Sequence, residues 1–271
     1  MVALDNLALV FVAGLITALA TGLGALPFFL VDEFSDRWNV ALWGLASGIM
    51  VSASVFGLLR EGLSFGDPIL IVPGLLAGVL LVVGADRVIH AFDGVDHDAK
   101  ALEEANLAKL ILILGVLTVH SFPEGVAVGV SFAELGLDTA AETITLLGLT
   151  LPLLAVFMTV AISIHNVPEG VAISIPLRSM AVNEWKMVWW AVFSSLPQPI
   201  GAVIAYAFVT QARAFLPMGF GFAAGAMIYL VATEFVPEAL DIGADLPNRG
   251  WRPLLTGASV GILLMIPLAF V

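Results

Sequence analysis

Apolar residues fall in eight long runs, at about 4–31, 39–63, 69–90, 107–133, 143–177, 185–209, 215–240 and 253–271, separated by short polar breaks. Crossing a hydrocarbon core of about 30 Å takes about 20 helical residues, so each run predicts one membrane helix. The run at 143–177 is too long for one untilted span. Pro152 inside it lacks an N–H, so the membrane segment is expected to restart near Leu153. Nothing between the runs is long enough for a soluble domain, and residues 1–271 are read as one all-α transmembrane domain. Pairs of glycines four apart, Gly44/Gly48, Gly74/Gly78, Gly125/Gly129, Gly221/Gly225 and Gly257/Gly261, predict close helix packing, because small residues let backbones approach where lipid gives no hydrophobic drive.

Composition agrees with this pattern. Of 271 residues 60% are hydrophobic and 12% charged, with mean hydropathy +1.05, against about 25% charged in a soluble domain. So much apolar surface needs lipid. The absence of cysteine excludes disulfides, thiolate metal sites and a cysteine nucleophile, leaving imidazole, carboxylate, thioether and carbonyl ligands. A net charge of −12 argues against nucleic acid and for cations as partners.

Orientation follows from the basic residues, which collect at the cytoplasmic ends of membrane helices. With the N-terminus outside, Arg37, Arg87, Lys100, Lys109, Arg178, Lys186, Arg249 and Arg252 are cytoplasmic, and only Arg60 and Arg213 are not. A multi-pass protein of the cytoplasmic membrane with both termini outside is therefore expected. The first run follows Met-Val-Ala-Leu-Asp, which lacks the positive region of a signal peptide, so it is expected to stay as a helix. The cytoplasmic loop 91–106 and its borders hold His90, Asp93, Asp96, His97, Asp98, Glu103 and Glu104, which read either as a solvated acidic loop or as a metal-collecting one.

Ionisable side chains in mid-membrane cost at least about 2.5–3.5 kcal/mol each, so each needs a reason. Two segments stand out, His120-Ser121-Phe122-Pro123-Glu124-Gly125 and His165-Asn166-Val167-Pro168-Glu169-Gly170. Counted from helix starts near Leu107 and Leu153, the two histidines lie about 20 Å and 18 Å deep, both near the middle. Within each segment His and Glu are four residues apart and share a helix face. Each proline frees the carbonyl four residues earlier, Val119 or Ile164, which must find a donor, a water or a cation. One such pair is as often a polar contact between helices; a second copy in the neighbouring helix favours a cage of two histidines and two glutamates for a divalent transition metal. Facing glutamates repel without a cation, so metal binding and proton release are expected to be linked.

These motifs resemble those of the ZIP (Zrt/Irt-like) family of divalent metal transporters, in its prokaryotic GufA-like branch. The resemblance extends to Gly48-Ile49-Met50-Val51-Ser52-Ala53-Ser54, to Gln198-Pro199-Ile200-Gly201-Ala202, and to Ala224 through Met227 with Glu234, Pro237 and Glu238. It implies eight helices, an inverted repeat of helices 1–3 and 6–8 around a central helix 4–5 pair, and a binuclear mid-membrane site. A first metal would take Met50, His120, Glu124, His165 and Glu169; a second would take Ser121, Glu124, Asn166, Glu169 and Gln198, with both glutamates bridging. Ser121 stands where the family usually has Asn, and Gln198 where many members of the branch have Glu, which weakens the second set. The resemblance also implies an elevator cycle, with helices 1, 4, 5 and 6 sliding against 2, 3, 7 and 8.

The function so implied is movement of Zn²⁺, with Cd²⁺, Mn²⁺ or Fe²⁺ as alternatives, into the cytoplasm; the metal is substrate, and no prosthetic group is expected. Partners are divalent ions and the bilayer, with a homodimer left open. Two rivals remain. An intramembrane zinc hydrolase lacks its H-E-x-x-H helix, and a metal-gated channel would conduct without saturable metal flux. Met50 by itself is more often core filler than ligand. Asp86 with His90, and Glu234 with Glu238, read as helix-end pairs or as lining of an exit path. Trp185, Trp189 and Trp190 read as an interfacial belt.

Overall fold

A computed structural model describes residues 4–31, 35–65, 67–93, 120–135, 142–146 and 148–267. Helix α1 is Leu4–Leu23. Helix α2 begins as Asp36–Ser52, loosens into a π-helical stretch at Ala53–Leu59 and ends as Arg60–Ser64. Helix α3 is Ile71–Asp93, and α4 is helical over 120–131. A hairpin of β1 (Thr143–Leu146) and β2 (Leu149–Pro152) precedes α5 (Leu153–Ser179). Helix α6 has two halves, Glu184–Ser194 and Pro197–Gln211. Helix α7 runs Leu216–Leu230, turns π-helical at Val231–Phe235 and ends as Val236–Ile242; α8 is Trp251–Leu264.

Among the described residues six stretches are long and apolar enough to cross a membrane: Leu4–Phe29, Asp36–Ser64, Pro68–Arg87, Leu153–Arg178, Glu184–Gln211 and Arg213–Ile242. Helix α8 has 14 residues, about 21 Å, and α4 is described only over 120–131, so six of the eight expected spans are found among the described residues. The chain is a helical membrane protein, with one small hairpin among the described residues.

Two sequence expectations are refined by backbone chemistry. In the 143–177 run α5 does begin at Leu153, but Thr143–Leu146 and Leu149–Pro152 before it pair as strands, Thr143 with Pro152 and Leu146 with Leu149. Their Thr-Ile-Thr-Leu and Leu-Thr-Leu segments favour β structure, and Gly148, at φ 80°, supplies a turn conformation that a side chain resists. The run at 185–209 breaks at Ser195 and Leu196. Pro197 has no N–H to continue the ladder and starts the second half, as prolines commonly do in a first turn.

The glycine pairs set the packing. A Cβ at Gly44 or Gly48 would run into the backbone of Leu254 or Ala258 on α8, and one at Gly257 or Gly261 into Ala41 or Leu45 on α2. Gly74 and Gly78 on α3 approach Met218 and Phe222 on α7 in the same way, and Gly221 and Gly225 approach Ile71 and Leu75 in return. A second set joins the helices around the motifs. Gly125 and Gly129 of α4 lie on Gln198 and Ala202 of α6, Gly14 of α1 lies on Pro199, and Gly24 of α1 and Gly170 of α5 bring those helices together. One spacing in sequence separates Gly44 from Gly221, Gly48 from Gly225 and Met50 from Met227, and each methionine is followed about one turn later by a π-helical stretch.

Candidate metal centre

Both hexapeptides are helical, so each histidine and its glutamate do stand one turn apart on α4 and α5. The two helices do not meet by propensity alone. Gly125 directly follows Glu124 and Gly170 directly follows Glu169, and these glycines let α6 and α1 press against the motif helices. Both carboxylates are thereby buried between the helices.

Glu124, His165 and Glu169 converge there, each offering a donor atom within 4.8 Å of the others. His165 Nε2 lies 3.4 Å from Glu124 Oε1 and 3.8 Å from Glu169 Oε1. All three residues are buried, at 0%, 0% and 2% exposure for Glu124, His165 and Glu169. Glu124 Oε1, Glu169 Oε1 and both ring nitrogens of His165 find no hydrogen-bond partner among the described residues. Buried polar atoms are nearly always partnered, and a carboxylate is the costliest to leave bare. Three of these atoms, Glu124 Oε1, Glu169 Oε1 and His165 Nε2, face one another in an arrangement that could hold a cation.

The amide side chains beside this trio are hydrogen-bonded to one another and to their surroundings, Asn166 Oδ1 excepted. Asn166 Nδ2 donates to the Thr17 carbonyl at 2.8 Å and to Gln198 Oε1 at 3.1 Å; Gln198 Nε2 donates to Glu124 Oε2 at 2.5 Å. Thr17 on α1 has no place in the sequence motifs. Its role as an acceptor comes from a backbone carbonyl, which leaves no mark in sequence. Of the other expected residues, Met50 is buried within the main apolar cluster together with Met158 and Met227. Ser121 is buried at 1%. His120 is buried on α4 with Nδ1 unpartnered; it stands outside the trio, and the charges acting on it are those of Glu124 and Asp86. Residues 94–106 lie outside the described residues, as do the side chains of His90 and Asp93, and the expectation of a metal-collecting loop lies there with them.

Comparison with known proteins places this geometry. A family model described as ZIP zinc transporter matches residues 89–268, the half of the chain and more that carries both hexapeptides. The chain belongs to the ZIP family. Zinc transporter GufA of Myxococcus xanthus is 32% identical over 271 residues, covering 95% of this chain and 96% of the relative. Zinc transporter ZupT of Corynebacterium aurimucosum is 30% identical over 255 residues, covering 89% and 90%. A protein of Arabidopsis thaliana is 38% identical over 223 residues, which cover 82% of this chain but 33% of that longer protein. ZIP membership and the apolar helices make this a multi-pass membrane protein of a transporter family. The hydrolase alternative loses its ground, because the motif pair that raised it is a ZIP motif pair.

Proposed function

We propose that this ZIP chain carries divalent transition-metal ions, zinc first among them, into the cytoplasm through the Glu124–His165–Glu169 centre. The observation that carries the reading is the set of bare, buried donor atoms of these three side chains. One imidazole and two carboxylates suit Zn²⁺, and equally Cd²⁺, Mn²⁺ or Fe²⁺, and disfavour Cu(I), which seeks sulfur. Two carboxylates also match the charge of one dication, so the loaded centre is neutral and can pass through a low-dielectric interior at least cost. Met50 and His120 complete the proposed ligand set as the ion enters or leaves. A second ion among Ser121, Glu124, Asn166, Glu169 and Gln198 is the expectation taken up below.

Transport requires the centre to open to each side in turn, and two features of packing favour an elevator of α1, α4, α5 and α6 against α2, α3, α7 and α8. The close glycine approaches described above all fall inside one group or the other. Each group can then move as a body while side chains slide between them. The shared spacing of the glycine and methionine positions in α2 and α7 supports an inverted repeat, and exchanging α1 with α6, α2 with α7, α3 with α8 and α4 with α5 turns the α2–α8 contact into α7–α3. Both termini outside, as the basic residues favour, and net flux toward the cytoplasm are parts of the same proposal.

Reconstituted protein is expected to take up radioactive zinc into liposomes with saturable kinetics and to be competed by cadmium. Uptake equal to protein-free vesicles would contradict transport. Unsaturable conductance blocked by zinc would favour the channel alternative.

A further inference from the structure

The hydrogen-bonded amides beside the trio have a fixed polarity, with Asn166 donating both ways and Gln198 passing the donor role on to Glu124. The Thr17 carbonyl accepts from Asn166, Asn166 donates to Gln198 Oε1, and Gln198 donates to Glu124 Oε2. A backbone carbonyl and an ionised carboxylate only accept, so the chain is fixed at both ends. Reversing Gln198 would set its carbonyl against the Glu124 carboxylate and its NH2 against that of Asn166, two like contacts in place of two hydrogen bonds.

We propose that this amide chain takes the place of a second cation, so that the centre holds one divalent ion and not two. The inference rests on the proposed function, that the trio binds a cation at all. Gln198 is then a positioning residue: its N–H occupies one oxygen of Glu124 and leaves the other, Oε1, turned toward His165 at 3.4 Å for the ion. The same orientation spends the Gln198 oxygen on Asn166. Of these two amides only Asn166 has an oxygen without a partner, so beyond the two carboxylates shared with the first ion a second dication would find only neutral donors.

Charge leads to the same count. One dication balances Glu124 and Glu169. A second would leave two positive charges uncompensated among Asn166 and Gln198, both neutral and both fully buried. Buried charge without a partner is strongly disfavoured. Restoring balance takes two more carboxylates, and the positions with the right shape are those of the two amides.

The test is the number of zinc ions per chain in the full-length purified protein, by equilibrium dialysis and metal analysis. Counting is relative to the Glu124→Ala/Glu169→Ala variant, so that zinc on exposed loops cancels. Wild type is expected to hold one zinc, and Asn166→Asp/Gln198→Glu two. Two zincs in wild type, or one in a folded double variant, would overturn the proposal. No zinc in wild type would instead overturn the cation site on which it rests, and the proposal with it. Should the double variant elute as aggregate, the wild-type count decides alone. A purely structural Gln198 would affect stability and leave the ion count of the charged variant at one.

Discussion

Alanine at both Glu124 and Glu169 is expected to bring zinc uptake into proteoliposomes down to the protein-free background, at least about 100-fold below wild type. Partners that merely orient a metal ligand are worth about 10–100-fold in affinity, and this change removes two of the three converging ligands themselves. It also removes both charges that balance the ion, leaving His165 to hold a dication in a buried site. The fold is expected to survive. Two facing carboxylates repel, so their loss offsets part of the cost of stranding the Gln198 amide, about 1–3 kcal/mol for a buried unsatisfied donor. The check is zinc flux measured beside the size-exclusion profile of the same preparation; a monodisperse double variant with wild-type flux would exclude these carboxylates from the path.

The second large effect is steric. Gly170→Ala places a Cβ against the carbonyl group of Thr21 and 3.1 Å from Gly24 Cα, so the obstruction is backbone and cannot rotate aside. Overpacking of this kind costs about 1–3 kcal/mol, occasionally more. The damage does not stay local. Thr17, one turn before Thr21 on α1, accepts the hydrogen bond that anchors Asn166, so displacing α1 also disturbs the amides behind Glu124. Both thermal stability and uptake are expected to fall. Gly84→Ala is the control: a Cβ there meets nothing within 4 Å, so no loss of stability is expected. Equal melting temperatures for the two variants would remove the close α1–α5 approach from the account.

How far the sequence led can be seen residue by residue. The four-residue spacing of His and Glu, with glycine directly after each Glu, predicts two histidines and two glutamates in one place; Glu124, His165 and Glu169 do lie together, whereas His120 stands apart, because spacing along a helix does not fix how far that helix is turned against its neighbour. The glycine pairs were legible as contacts, though not as to partner: that Gly44 meets Leu254 and Gly78 meets Phe222 is a matter of tertiary arrangement. The hairpin at Thr143–Pro152 was hidden in an apolar run, since short apolar strands and helix segments look alike by hydrophobicity, and Gly148 was the one available sign. The break in α6 had a sign too, in Pro197 and Pro199 on either side of Gln198. The direction of the amide chain had none, because it depends on a Thr17 carbonyl that any residue could supply.

That three side chains from two helices jointly grip one dication is best tested by zinc-edge anomalous diffraction from zinc-soaked crystals. The account predicts a peak among His165, Glu124 and Glu169, with metal–nitrogen and metal–oxygen distances of about 2.0–2.2 Å. A map with no peak there, or with these side chains turned apart and zinc bound only elsewhere, would contradict it.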